Sequence, residues 1–204
     1  MKALEERLEK IKGELLELHR LSKRAVELTI NAISGDEVSR YEVEKIEKQA
    51  DVLNTDIEND SLSAVALFQP VAKDLRFLST VMRLSGNYER ITDLAWKVAR
   101  FRISEGHFAE KLKTMQIIIL EMFDIVEKAL EGDTGRMRDE LIFRDDRLDT
   151  LKEEVIDDLL GSELTHESLS ILLSAIHFER IGDILSKNGA RIIFINEGRR
   201  VWIK

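Results

Sequence analysis

From Leu4 to about Ile33 the apolar residues recur at steps of three and four, with Leu8, Ile11, Leu15 and Leu18 on one stripe. That period predicts an amphipathic helix. Ser34-Gly35-Asp36 follows it, a glycine that ends one helix and an acid that caps the next. A second stripe of Val43, Ile46, Ala50, Leu53 and Ile57 predicts a second helix, flanked by a polar stripe of Glu47, Asp51, Asn54 and Glu58. Pro70, the only proline, suits the first turn of a third helix ending near Gly106. The plan then repeats. Met115, Ile118, Ile119, Met122, Ile125, Val126 and Leu130 mark a fourth helix, and Gly132-Asp133 a turn. Leu148, Leu151 and Val155 mark a fifth, broken at Gly161-Ser162, and a sixth runs from near Thr165 to about Asn196. The expected fold is all-α: two tandem, similar, antiparallel three-helix bundles over residues 1–105 and 106–197, then a basic tail at 198–204. Trp202 in that tail is expected to pack back on the bundle.

Composition supports this reading. The 204 residues are 44% hydrophobic and 34% charged, enough for a sizeable core with well-solvated helix faces. The net charge of -8 argues against nucleic-acid binding over the whole surface. Cysteine is absent, which removes disulfides, thiolate metal sites and a cysteine nucleophile, and is compatible with the cytoplasm. The N-terminal residues are charged rather than leader-like. The most apolar run, Ile117 to Leu120, is far short of the ~20 residues a membrane span needs.

Against this helical background the acids are placed unusually. Glu89-Arg90-Ile91-Thr92-Asp93 has a near-copy ninety positions later, Glu179-Arg180-Ile181-Gly182-Asp183. Acids four apart stack on one face of a helix. Steps of three, four and seven through Leu75, Leu78, Met82, Ser85, Glu89 and Trp96, and through Leu172, Ile176, Glu179 and Asp183, put Glu89 and Glu179 on inward seams. An inward carboxylate is costly unless it is paired, protonated or metal-bound. Asp145 and Asp149 are also four apart, and in an antiparallel bundle they would converge with Glu179 and Asp183. The first half offers Glu47 and Asp51 opposite Glu89 and Asp93, with Asn54 as a neutral oxygen. Oxygen-only ligation suits magnesium, calcium, manganese or iron. The competing reading is a solvated face paired with arginines. A ferritin-type di-iron centre needs a Glu-x-x-His pair on each of two helices, and His19, His107, His166 and His177 are too scattered to supply them. There is no phosphate-binding glycine loop and no Gly-x-Ser-x-Gly elbow. Without a companion nucleophile, acid–base catalysis by the paired acids has little support, and no catalytic residue is expected.

Beside the first acid pair, Arg76, Arg83, Arg90 and Lys97 recur every seven residues, which keeps them near one face. The strip either pairs with Glu47, Asp51 or Glu58 across the bundle or docks a partner. Exposed ion pairs contribute only about 0–1 kcal/mol, so stability alone is a thin reason for it.

Phe68-Gln69-Pro70-Val71-Ala72-Lys73-Asp74-Leu75-Arg76 with Glu89-Arg90-Ile91-Thr92-Asp93 resembles the first half of PhoU proteins. Arg144-Asp145-Asp146-Arg147-Leu148-Asp149 with Glu179-Arg180-Ile181-Gly182-Asp183 resembles the second half. The resemblance covers nearly the whole chain in order. It implies two three-helix bundles in a cytoplasmic, non-enzymatic negative regulator of phosphate uptake and phosphate-starvation signalling. The implied partners are the ATPase of the phosphate ABC transporter and a sensor histidine kinase, with a homodimer among the assemblies it allows and no insertion into the membrane. It also implies a multinuclear metal, iron or in its place zinc, manganese, magnesium or calcium. The motif positions are Glu89, Asp93, Asp145, Asp149, Glu179 and Asp183. In the first half the positions matching Asp145 and Asp149 are Ala50 and Asn54, so Glu47 and Asp51 would substitute in a shifted frame. A carboxylate-bridged protein that stores metal or does redox work is the alternative.

Overall fold

In a computed structural model that describes residues 2–161, 163–199, 201 and 203, the chain forms six helices. They are α1 (Lys2–Ile33), α2 (Glu37–Phe68), α3 (Ala72–Ala99), α4 (His107–Leu130), α5 (Met137–Leu160) and α6 (His166–Glu197). No strand occurs among the described residues. Helices α1–α3 pack as one antiparallel bundle and α4–α6 as a second, as the apolar periodicity predicts. The first turn follows the expected chemistry. Gly35 takes a φ of 113° that a side chain would disfavour, and the Asp36 carboxylate accepts from Val38 N at 3.0 Å to cap α2. Pro70 departs from expectation. It is buried in the connection before α3, whose N-cap is Val71. Trp202 lies outside the described residues; Ile203 is buried and would lie 3.4 Å from a Cβ added at Gly189 of α6.

The bundles share one core. Ile11, Leu15 and Leu18 of α1, Leu78, Leu84 and Ile91 of α3, Met122 and Phe123 of α4, and Phe178 and Leu185 of α6 belong to a single connected cluster of buried residues. α3 packs on α6, and α1 on α4, across the junction. Arg76 lies against Gly198, and Asn87 Nδ2 donates to Asn188 Oδ1 at 2.6 Å. His177 feels the charge of Lys97. The two helices therefore run antiparallel, and Thr92 and Gly182, which hold matching places in the two repeats, fall near the middle of the seam.

Polar groups fix α1 against α3 within the first bundle and tie α1 to α4 across the junction. His19 of α1 is fully buried, with Nδ1 hydrogen-bonded to the Tyr88 hydroxyl of α3 at 3.0 Å. Its ring meets Phe123 of α4 edge-on, centroids 5.2 Å apart. Ser22 Oγ donates to the Tyr88 carbonyl, and Gln116 Nε2 of α4 donates to the α1 carbonyls of Val26 at 2.7 Å and Glu27 at 3.0 Å. Buried hydrogen bonds of this kind specify one docking geometry, because a shift would leave each group unpaired.

Burial pulls the His19 pKa down to about 4, with the charges of Glu127 and Asp124 opposing it and those of Lys23 and Arg20 adding to it. Unfolded, the imidazole titrates near 6.5. As pH falls below 6.5 the unfolded chain takes up a proton the folded chain refuses, so stability drops until the folded pKa is reached, by about 3 kcal/mol in all. Thermal unfolding of wild type should show a declining melting temperature between pH 6.5 and 4. His19→Gln, whatever its absolute stability, should show a flatter profile over that window; parallel curves would contradict this account.

Candidate functional site

The acid pairs lie one residue off the seams expected for them. The buried stripe of α3 runs through Leu78, Val81, Leu84, Tyr88, Ile91, Ala95 and Val98, and that of α6 through Ile171, Ala175, Phe178, Ile181, Leu185 and Ile192. Tyr88 and Phe178, each one position before the acid, take the core places. Glu89 and Glu179 lie half-buried on the flank, with Asp93 and Asp183 beside them. This position lets a carboxylate meet a neighbouring helix without being sealed inside.

In the first half, Glu47 and Asp51 of α2 lie within electrostatic reach of Glu89 and Asp93 of α3. Glu47 is half-buried and Asp51 exposed. Burial raises the Glu89 pKa, and the charges of Asp51 and Asp93 raise it further against the pull of Arg90. Burial likewise raises that of Glu47, again with Asp51 and Asp93. Of the nearby cations, Lys97 Nζ lies 2.8 Å and Arg90 3.4 Å from Asp93, and Lys48, which opposes the rise at Glu47, pairs with Glu44 at 2.7 Å. Among the described residues, no basic side chain comes within ion-pair distance of Glu47, Asp51 or Glu89. Asn54, on the same helical face as Glu47 and Asp51, has a buried Oδ1 that accepts no hydrogen bond. Among the described residues the basic strip makes no ion pair with Glu47, Asp51 or Glu58, which was the alternative to docking.

The second half is arranged differently. Gly182 lets α5 come close, since a Cβ there would lie 2.3 Å from Leu148 Cδ1. Lys152 of α5 reaches across and donates to Glu179 Oε1 at 3.0 Å and to Asp149 Oδ1 at 3.5 Å. Asp183 pairs with Lys187 at 3.1 Å. Asp145 is only 4% exposed, and it accepts from Ser186 Oγ at 3.2 Å, seven positions along α6 from Glu179. The arginines next to these acids go elsewhere: Arg144 to Glu121 and Glu140, Arg147 to Glu154. The four acids expected to converge are thus shared out among a lysine, a serine and a second lysine. Sequence reading passed over Lys152, although it stands three residues after Asp149 and seven after Asp145, on their helical face.

Among the described residues no three histidine or carboxylate side chains stand close enough to share one ion. The two sets nonetheless differ in their fitness for a metal. The first offers hard oxygens, unneutralised charge and an unpartnered amide oxygen, which suits a hard cation in donor chemistry. The second already contains an ammonium between its acids and does not fit as arranged.

The basic strip is also divided. Arg90 and Lys97 are engaged by Asp93, whereas Arg76 and Arg83 make no ion pair among the described residues. Arg191 of α6 joins these two. Its pKa is lowered by burial and by the charge of Arg83. The Nε atoms of Arg76 and Arg191 are buried without an acceptor.

The PhoU domain model matches residues 15–101 and again 112–192. The chain belongs to the PhoU family. It is 40% identical over 203 residues, the full length of both proteins, to a phosphate-specific transport system accessory protein PhoU homolog of Archaeoglobus fulgidus. A PhoU homolog 1 of Thermotoga maritima with the same description is 27% identical over 163 residues, 74% of this chain and 70% of that protein. Among solved structures, PhoU from Pseudomonas aeruginosa superposes with a TM-score of 0.83 at 21% identity, covering 96% of this chain and 99% of that one. The phosphate transport system regulatory protein PhoU from Streptococcus pneumoniae gives 0.80 at 20% identity, covering 98% and 99%. Both share the six-helix fold. No described helix is long and apolar enough to cross a membrane.

The electrostatics of the first set can be measured. Because the Glu89 pKa is raised, its repulsion is absent while it is protonated and grows as pH rises through that pKa. In chelator at pH 7, Glu89→Gln should melt a few degrees higher than wild type, and the difference should vanish near pH 4. A variant less stable than wild type at pH 7 would show that the carboxylate is favourably held.

Proposed function

We propose that this PhoU protein is a non-enzymatic, cytoplasmic negative regulator of phosphate uptake and phosphate-responsive signalling. It works by docking on the ATPase of a phosphate ABC transporter and on a sensor histidine kinase. The end-to-end 40% identity to a phosphate-specific transport system accessory protein carries this reading. To regulate, the chain must bind one conformation of its partner more tightly than the other.

The docking strip is Arg76 and Arg83, joined by Arg191 and continued by Arg90 and Lys97. Guanidinium groups without a carboxylate keep their charge available to an acidic partner surface and would speed its encounter. Arg76 and Arg191 are half-buried, which holds them in place beforehand and lowers the ordering cost of association. The first acidic set, Glu47, Asp51, Glu89 and Asp93, takes up a hard cation such as manganese or iron. Those residues would hold it and lose their mutual repulsion, fixing α2 against α3 behind the strip. Arg90 and Lys97 share Asp93 with that set, so cation uptake would free them and extend the strip.

The double variant Arg76→Glu/Arg83→Glu should weaken association with the transporter ATPase from the same organism by about ten- to hundred-fold, measured by calorimetry at low salt. Far-ultraviolet circular dichroism should be unchanged. Lys113→Glu, on an exposed face of α4, is the control. Equal binding by the double variant and wild type would remove the strip from the interface.

A further inference from the structure

We propose that Lys152 is the resident cation of the second acidic set, holding the place that a metal takes in the first, so that cation uptake by this chain is confined to its first half. The inference uses the metal reading of the first set only for contrast; the assignment of Lys152 stands without it.

The geometry gives the reasons. The Lys152 ammonium bridges α5 and α6, 3.0 Å from Glu179 and 3.5 Å from Asp149. Its side chain is 19% exposed and that of Glu179 20%, so the contact is largely shielded from water and salt, unlike a surface pair. A cation that cross-links two helices through carboxylates is what a metal would supply here; the lysine supplies it from within the chain. The remaining members are held as well: Asp183 by Lys187 and Asp145 by Ser186, too far along α6 to join Glu179. For a divalent ion to enter, the ammonium must be expelled into solvent or be left against a like charge, and Asp145 must give up its buried hydrogen bond. Each step opposes binding.

The first set has the opposite arrangement. Arg90 and Lys97 crowd onto Asp93 and Lys48 onto Glu44, while Glu47 and Glu89 repel their acidic neighbours. Three residues past Asn54, the position that matches Lys152 is Ile57, an apolar residue buried in the core. No α3 or α2 side chain there does for Glu89 what Lys152 does for Glu179. The two acid motifs are similar in sequence, but one carries its own counter-ion and the other does not.

Removal of Lys152 should therefore create a metal site. The full-length chain, stripped with chelator, is dialysed against Mn²⁺ and its bound metal measured by elemental analysis, with thermal unfolding in parallel. Lys152→Met should bind about one more Mn²⁺ per chain than wild type and gain a Mn²⁺-dependent rise in melting temperature. That gain should disappear when Asp149→Asn and Glu179→Gln are added, and Lys152→Arg should behave as wild type. Two results would overturn the proposal. One is a folded Lys152→Met that binds no additional Mn²⁺. The other is a wild type that loses bound Mn²⁺ on Asp149→Asn/Glu179→Gln, which decides the matter even if the Met variant fails to fold. Wild type binding no Mn²⁺ at all would defeat the reading of the first set and leave that of Lys152 to be settled by the Met variant.

Discussion

The antiparallel seam between α3 and α6 is the constraint on which the rest of the molecule depends. Each bundle alone has only three helices, and a three-helix hairpin of this length leaves one apolar face uncovered. Packing α3 on α6 and α1 on α4 covers those faces with each other and makes one core. Apolar burial contributes most of the energy of that contact, but it is permissive about angle and register. The hydrogen bonds of Asn87 to Asn188 and of Gln116 to the α1 carbonyls are not, since sliding one bundle over the other would strand them together. The seam also sets the position of the arginines. Arg83 on α3 meets Arg191 on α6, and Arg76 meets Gly198, only because the two helices lie in this register.

The fold was largely legible in the sequence, for a plain physical reason. A helix two-thirds exposed must show its period in the alternation of apolar and polar residues, and the turns at Gly35 and Gly132 need a backbone that only glycine adopts readily, with φ of 113° and 116°. Legibility fell off where the answer depended on a neighbour. The seam through Glu89 was read one residue out, because period alone does not say whether Tyr88 or Glu89 takes the core place; that depends on what α1 and α6 present. Pro70 was assigned to a first helical turn, although its buried place in the connection follows from packing. Among the acids, spacing revealed the i,i+4 pairs but not their companions. Lys152 and Ser186 lie on facing helices, and whether they meet Glu179 and Asp145 is decided by the close approach that Gly182 permits.

An ammonium and a divalent ion solve the same electrostatic problem with different consequences. The ion brings two charges, several coordination directions and a dependence on its concentration outside the protein. The ammonium brings one charge and three hydrogen bonds, and it is always present. A helix pair held by lysine is therefore constant, whereas one held by a captured ion is conditional. Burial tends to lower the Lys152 pKa, but the bond to Glu179 and the charges of Glu179 and Asp149 prevail and raise it, so the ammonium stays charged at neutral pH.

The near two-fold relation of the halves has an evolutionary meaning. Equivalent helices crossing antiparallel, with Thr92 and Gly182 at the midpoint, are what a symmetric dimer of half-length chains would form. In such a dimer every substitution appears twice, so both acid motifs must change together or not at all. Joined in one chain, each copy accumulates its own changes. Thr92 and Gly182, or Ile57 and Lys152, are differences that a single gene for a symmetric ancestor could not have encoded. Fusion thus allows a protein of one repeated shape to keep two unlike ends.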